Sequence, residues 1–152
     1  MIIVCQKPLK KLKINGIALF PFIFIRKPED KENNVLINHE KIHLRQQLEM
    51  LIIFFYIFYV IEYYYWVFKL KNGYLAYRRI SFEREAYANE NNLNYLQKRK
   101  FWNFRKYLWN DEWWVSGFGI RVLWAWFWNF IFLDSNFNIL YIQHLIFNRN
   151  GL

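Results

Sequence analysis

Asn38-His39-Glu40-Lys41-Ile42-His43-Leu44-Arg45-Gln46-Gln47-Leu48-Glu49-Met50 is the stretch that the rest of the chain has to accommodate. Two histidines four apart, with a glutamate directly after the first, form an H-E-x-x-H pattern. On an α-helix, positions i and i+4 lie one turn apart on one face, so His39 and His43 can offer ring nitrogens to a single zinc ion. Glu40 then projects beside that ion as a general base. Positions 39, 42, 43, 46, 47 and 50 share the face, which brings Gln46 and Gln47 next to the histidines, either as partners for the ligands or simply as polar residues at a water-filled cleft.

Composition sets the surroundings of that helix. A chain of 152 residues makes one domain with a real core. Hydrophobic residues are 55% and aromatics 23% of it, with eight Trp, eleven Tyr and sixteen Phe, more than one small core can hide. Apolar surface left over points to lipid or a partner. The formal charge of +9 adds attraction for anionic headgroups, and no nucleic-acid-binding motif accompanies it. A membrane is therefore the expected partner, and nucleic acid is not. The single cysteine, Cys5, excludes an intrachain disulfide framework.

Taken in order, Met1 to Lys13 reads as a short strand and a basic segment, and Asn15-Gly16 as a turn. Ile17 to Ile25 is rich in strand formers. Pro21 lacks an amide proton and suits an edge or bulged strand. Such an edge beside the metal helix is a candidate for holding an extended peptide, and a plain structural hairpin is the alternative. The polar loop Arg26 to Asn34 leads into the motif helix. Met50 to Phe68 is almost continuously apolar and about long enough to cross a bilayer, yet Glu62, five tyrosines and Trp66 make it a poor lipid core. Glu62 is expected to pair with Arg78 or Arg79. A second long helix is expected from Leu75 to Gln97. Trp113 to Leu133 reads as a membrane or interfacial hairpin. Residues 1–110 thus form the metal-binding domain, and 111–152 an aromatic-rich apolar extension that is not an independent domain.

Phe82-Glu83-Arg84-Glu85-Ala86-Tyr87 resembles the E-x-x-A-D element of the membrane zinc proteases of the CAAX prenyl-protease and heat-shock type. His39 to Gln47 resembles the H-E-x-x-H-x-x-Q-Q helices of small bacterial zincin-like domains. The matched residues are about 15 of the chain. The resemblance implies a gluzincin-type metallopeptidase domain with Glu83 as third zinc ligand, a peptide or protein substrate, and a bacterial inner-membrane setting. Tyr87 departs from the pattern, standing where that family has aspartate. Glu85 is the rival ligand. Two residues apart on a helix is about 200° around the axis, so Glu83 and Glu85 cannot both face the metal. Ala86, three after Glu83, would let the two helices approach closely.

The fold expected is mainly α with a short N-terminal β segment, a helix pair carrying the metal site, and a membrane-associated C-terminal part. A straight helix from His43 to Phe68 would travel about 37 Å, while an extended linker and helix to Glu83 recover only about 30 Å. The helix must end near Tyr63 or bend within the aromatic run. Tyr77, Tyr87 and His144 are candidates to stabilise an oxyanion. The alternative is a non-enzymatic membrane or interaction protein in which the motif is vestigial or fortuitous.

Overall fold

The structure, a computed structural model, describes residues 1–108. The hairpin expected at Trp113 to Leu133, the extension over 111–152 and His144 lie outside the described residues. Within them the chain is mainly helical, with one small N-terminal sheet.

Strands β1 (Ile2–Val4), β2 (Gly16–Leu19) and β3 (Phe22–Ile25) form that sheet in the order β1-β3-β2. β1 runs parallel to β3, with Ile3 opposite Phe24, and β2 runs antiparallel to it, with Ala18 opposite Ile23. The basic segment between β1 and β2 coils into helix α1 (Gln6–Leu12). The stretch Ile17 to Ile25 is two strands and not one. Pro21 lies in the tight turn between them, after a cis peptide with Phe20. With no amide to donate and φ fixed, proline ends the ladder, so the bulge expected within a strand becomes the hairpin corner.

Helix α2 (Asn34–Glu49) carries the motif. The Asn33 side chain caps it, accepting from the Leu36 amide at 3.1 Å. Ile37 on α2 packs on Ile23 and Ile25 of the sheet, with Val4, Leu36 and Leu44 around them. Met50 ends α2, and Leu51 and Ile52 both take positive φ. Ile52 (φ 60°, ψ −62°) centres a γ-turn closed by a 2.6 Å bond from the Ile53 amide to the Leu51 carbonyl. The chain thus turns sharply before the aromatic run. Helix α3 (Ile53–Leu70) then continues without interruption. Of the two arrangements expected, an end near Tyr63 is not found and a bend is, at Leu51-Ile52 near the start of the Met50 to Phe68 run, after which the chain stays helical to Leu70.

The helix expected over Leu75–Gln97 is three helices, α4 (Gly73–Arg79), α5 (Ser81–Asn89) and α6 (Tyr95–Lys98). A last short helix, α7, spans Arg105–Leu108. The break between α4 and α5 is made by a distant residue. Ile80 is extended, and the freed Ser81 amide donates to Glu62 on α3 at 2.6 Å, with the Ser81 hydroxyl donating to the same carboxylate at 2.7 Å. Glu62 therefore caps the start of α5, where the orphan amides and the helix dipole favour a carboxylate, and is not bonded to Arg78 or Arg79. Asn38 holds the other end: its amide nitrogen donates to the carbonyls of Asn89, Glu90 and Asn92 at 3.3, 2.9 and 3.1 Å. Phe82, fully buried, packs against Phe55 of α3 and Phe104, each at 4.7 Å between ring centres.

Candidate metal centre

Three buried side chains meet where α2 crosses α5. His39 and His43 sit one turn apart on α2, and their Nε2 atoms are 3.1 Å apart. Glu83, in the first turn of α5, brings Oε2 to 3.5 Å from His39 Nε2 and Oε1 to 3.4 Å from His43 Nε2. Among the described residues these three form a group able to hold a metal ion. Tetrahedral zinc bonds of about 2.0–2.1 Å place ligand atoms about 3.3–3.4 Å apart; each imidazole is near that distance from a different Glu83 oxygen, and one ligand atom from each of the three residues lies within 4.8 Å of the others. Glu83 Oε2 is buried with no hydrogen-bond donor, an acceptor that a cation would satisfy. The donor set of two imidazoles and a carboxylate suits zinc and other borderline divalent ions.

The two ends of α5 explain why Glu83 arrives there. Glu62 fixes the helix two residues before Glu83, and Asn38 fixes it six residues after, from the position just before His39. Ala86, fully buried, keeps the face of α5 flat. Glu85 points the other way, into Arg99 and Tyr95, with Nε–Oε1 at 2.7 Å and the tyrosine hydroxyl at 2.6 Å. It is buried there and held by an arginine, not by solvent. Glu83 alone of the two meets the histidines.

Partners around the triangle set its charge. Burial by itself would draw the His43 proton off, but the Glu83 carboxylate beside the ring, with help from Glu40 and Gln46, pushes its pKa up to about 9. Burial would raise Glu83, and the two histidines instead hold it well below the usual carboxylate range. His39 Nδ1 meets Glu90 Oε2 at 2.8 Å, and His43 Nδ1 meets Gln46 Oε1 at 2.8 Å. Both rings thus use Nδ1 outward and leave Nε2 facing Glu83.

Gln46 is beside a histidine as the helix face predicts, but Gln47 is not. Its Nε2 donates to the Ala18 carbonyl at 2.8 Å, and its Oε1 accepts from the Phe20 amide at 2.9 Å. The outer edge of β2, the candidate for pairing with an extended peptide, is occupied there by this amide. Glu40 also turns to β2. Burial raises its carboxyl, while His43, His39 and a hydrogen bond with the Ala18 backbone act to lower it. A Cβ on Gly16 would stand 2.7 Å from Glu40 Oε1.

Tyr87 packs edge-on against the His39 ring at 4.7 Å between centres, with the Arg78 guanidinium over its own ring. The support a carboxylate might give from that position comes from Glu90 instead. Seven residues after Glu83, Glu90 is two turns along the same helical face, a spacing visible in the sequence and overlooked there. The Tyr59 hydroxyl donates to Glu83 Oε1 at 2.8 Å, and Tyr77 reaches the Tyr87 hydroxyl at 3.2 Å. Burial and the neighbouring Glu83 charge push both Tyr59 and Tyr77 far up, so they remain hydrogen-bond donors. Tyr59 had no sequence signal beyond membership of an aromatic run.

No family model, no curated protein and no solved structure matches the chain. What the centre can do therefore rests on its own chemistry.

Proposed function

We propose that this protein is a zinc-dependent metallohydrolase of zincin type, a peptidase held at a membrane face. The observation that supports it most is the convergence of His39, His43 and Glu83, the two imidazole Nε2 atoms 3.1 Å apart and lying 3.5 Å from Glu83 Oε2 and 3.4 Å from Glu83 Oε1 respectively, with Glu40 next to the first ligand in the chain. Zinc held there would supply Lewis acidity, polarising an amide carbonyl and lowering the pKa of water toward neutrality. Glu40 would take the attacking water's proton and return it to the leaving amine. Its burial favours that work by raising its proton affinity. Tyr59 and Tyr77 are neutral donors beside Glu83, suited to charge that develops on the carbonyl oxygen. The outward side chains of α3 would face lipid, with the bacterial inner membrane as the setting implied by the resemblance.

The test uses the full chain and its variants. The native protein should take up one zinc per chain and cleave unstructured peptides. His43→Ala should lose the metal. Glu40→Gln should keep it and lose cleavage by about 10²–10⁴-fold. A native chain that takes up no zinc refutes the centre, and an active Glu40→Gln refutes the mechanism. A second reading is a non-enzymatic membrane or interaction protein that binds metal. It is favoured by the burial of all three ligands, 4–6% exposed, and by Gln47 lying on the strand edge. Zinc uptake with no cleavage of any peptide would select it.

A further inference from the structure

We propose that the N-terminal sheet is a lipid-docking surface, its outer face seated on an anionic membrane with the lysines of α1 against the headgroups. This deepens the membrane setting proposed above and rests on that setting alone, since it uses nothing of the metal centre. Charge points there first. Residues 1–28 hold Lys7, Lys10, Lys11, Lys13, Arg26 and Lys27 and no acid, so six of the nine net positive charges arise in that stretch. Backbone bonds gather them. The Cys5 amide donates to the Ile25 carbonyl and the Arg26 amide to the Asn15 carbonyl, each at 2.8 Å, so the residues flanking α1 and the exit of β3 meet at one end of the sheet. The first acids, Glu29 and Asp30, follow in the short turn Pro28–Glu32, where Asp30 accepts from the Lys27 amide at 3.2 Å. Helix stability does not account for the cluster. Lys7, Lys10, Lys11 and Lys13 are exposed, and among the described residues none of the four makes an ion pair. Lys10 and Lys11 sit in the last turn of α1, where the helix dipole favours cations. Lys7 lies three and four residues before them, a like-charge spacing that weakens a helix. Anions outside the protein would relieve it.

The sheet's outer face completes the surface. Ile23 and Ile25 of β3 turn to α2, with Val4 beside them. Side chains alternate along a strand, so Phe22 and Phe24 turn the other way, and the register sets Leu19, Ile17 and Ile3 beside them. A sheet with one face on the core ordinarily carries polar residues on the other, and here all five are apolar. Leu19 is 40% exposed and the other four are half-buried. Leu12, at the end of α1 among the lysines, is 63% exposed. An apolar face beside an acid-free cluster of lysines is complementary to a bilayer of anionic lipid, where apolar insertion and charge together give an attachment that neither gives alone. Nucleic acid fits this surface less well. The Phe22 and Phe24 rings meet edge-on at 63° and their neighbours are aliphatic, so they form no flat platform for bases.

The test is sedimentation of the full chain with vesicles of phosphatidylcholine, alone or mixed with phosphatidylglycerol, at low and raised salt. The native chain should bind the anionic vesicles, bind phosphatidylcholine at least about tenfold more weakly, and lose affinity as salt rises. Lys7→Gln, Lys10→Gln, Lys11→Gln and Lys13→Gln together should cut anionic binding by about a hundredfold, while arginine at the same four positions keeps the charge and should bind like the native chain. Ile17→Thr with Leu19→Thr keeps strand-forming residues and should cut binding by about tenfold. The four lysines are exposed, so the charge variants decide the matter even if the strand variant unfolds. Anionic binding left intact by the glutamine changes, or equal binding to the two lipids, overturns the docking surface and leaves the membrane setting standing. No binding to either vesicle overturns both. Capture of single-stranded RNA in preference to anionic vesicles, lost with the glutamine changes, assigns the patch to nucleic acid and overturns the docking surface as well.

Discussion

Gly16 lies against the Glu40 carboxylate, and that closeness makes a test of Glu40 which leaves every charge in place. A Cβ there would come 2.7 Å from the carboxylate oxygen and 3.3 Å from Leu36, so Glu40 would have to swing away. Gly16→Ala is expected to retain zinc while peptide cleavage falls by about a hundredfold, as for a displacement of a reacting group by an ångström. Metal content and turnover measured on the same sample decide it. Equal turnover would mean that Glu40 is not placed by β2. At this scale much was legible in advance. The His39–His43 pair follows from helical spacing, and Glu83 from the resemblance at Phe82 to Tyr87, since spacing says only that Glu83 and Glu85 cannot both face the metal. Tyr59 and Gln47 were not legible, because their partners lie 24 and 27 or more residues away and no local pattern announces them.

Elements are where the sequence misleads most, and the reason is physical. Neither the turn at Leu51-Ile52 nor the break at Ile80 contains glycine or proline. The break at Ile80 and the end of α5 exist because tertiary partners take up the backbone groups, Glu62 at the start of α5 and Asn38 at its end, while the turn at Leu51-Ile52 is closed by local backbone bonds that no residue type there announces. By contrast the hairpin corner at Pro21 and the Asn33 and Asn72 caps carry their own local chemistry, and they fall near positions where the sequence places turns or helix starts. Glu62 also gives a pH signature. Burial lifts its carboxyl from near 4.5 to about 7, against the Ser81 bonds and the Arg84 charge, which lower it. The folded state therefore holds the proton more tightly than the unfolded chain. Stability from this group is full below about pH 4.5 and is lost as pH rises through 7, by ~3 kcal/mol. Glu62→Gln should flatten that part of the profile between pH 5 and pH 8, measured by urea unfolding. Parallel profiles for variant and native chain would remove Glu62 as the cause.

For the whole molecule, the two faces of α3 do different things. Phe55, Phe58, Glu62 and Trp66 are buried, while Ile53, Ile57, Val60, Tyr64 and Phe68 line the outer side and are exposed. Among the described residues α3 is the one helix long and apolar enough to cross a membrane by length and composition. Its inner face is committed to the fold. Lys71 over the Phe68 ring at 4.3 Å adds a cation at that end. If the outer stripe is the lipid contact, Ile57→Ser with Val60→Ser and Phe68→Ser should cut binding to anionic phosphatidylglycerol vesicles at least tenfold in a sedimentation assay. Zinc uptake should be unaffected. Undiminished binding would place the contact elsewhere. Composition made an apolar surface legible, but not which side of the run it occupies, since Glu62 and Val60 are two residues apart and face opposite ways. The amide of Gln47 has a wider consequence. By meeting the Ala18 carbonyl and the Phe20 amide it completes, with one side chain, the hydrogen bonds that a fourth strand would make, so at those positions a small sheet on a greasy protein offers no template for another chain to extend.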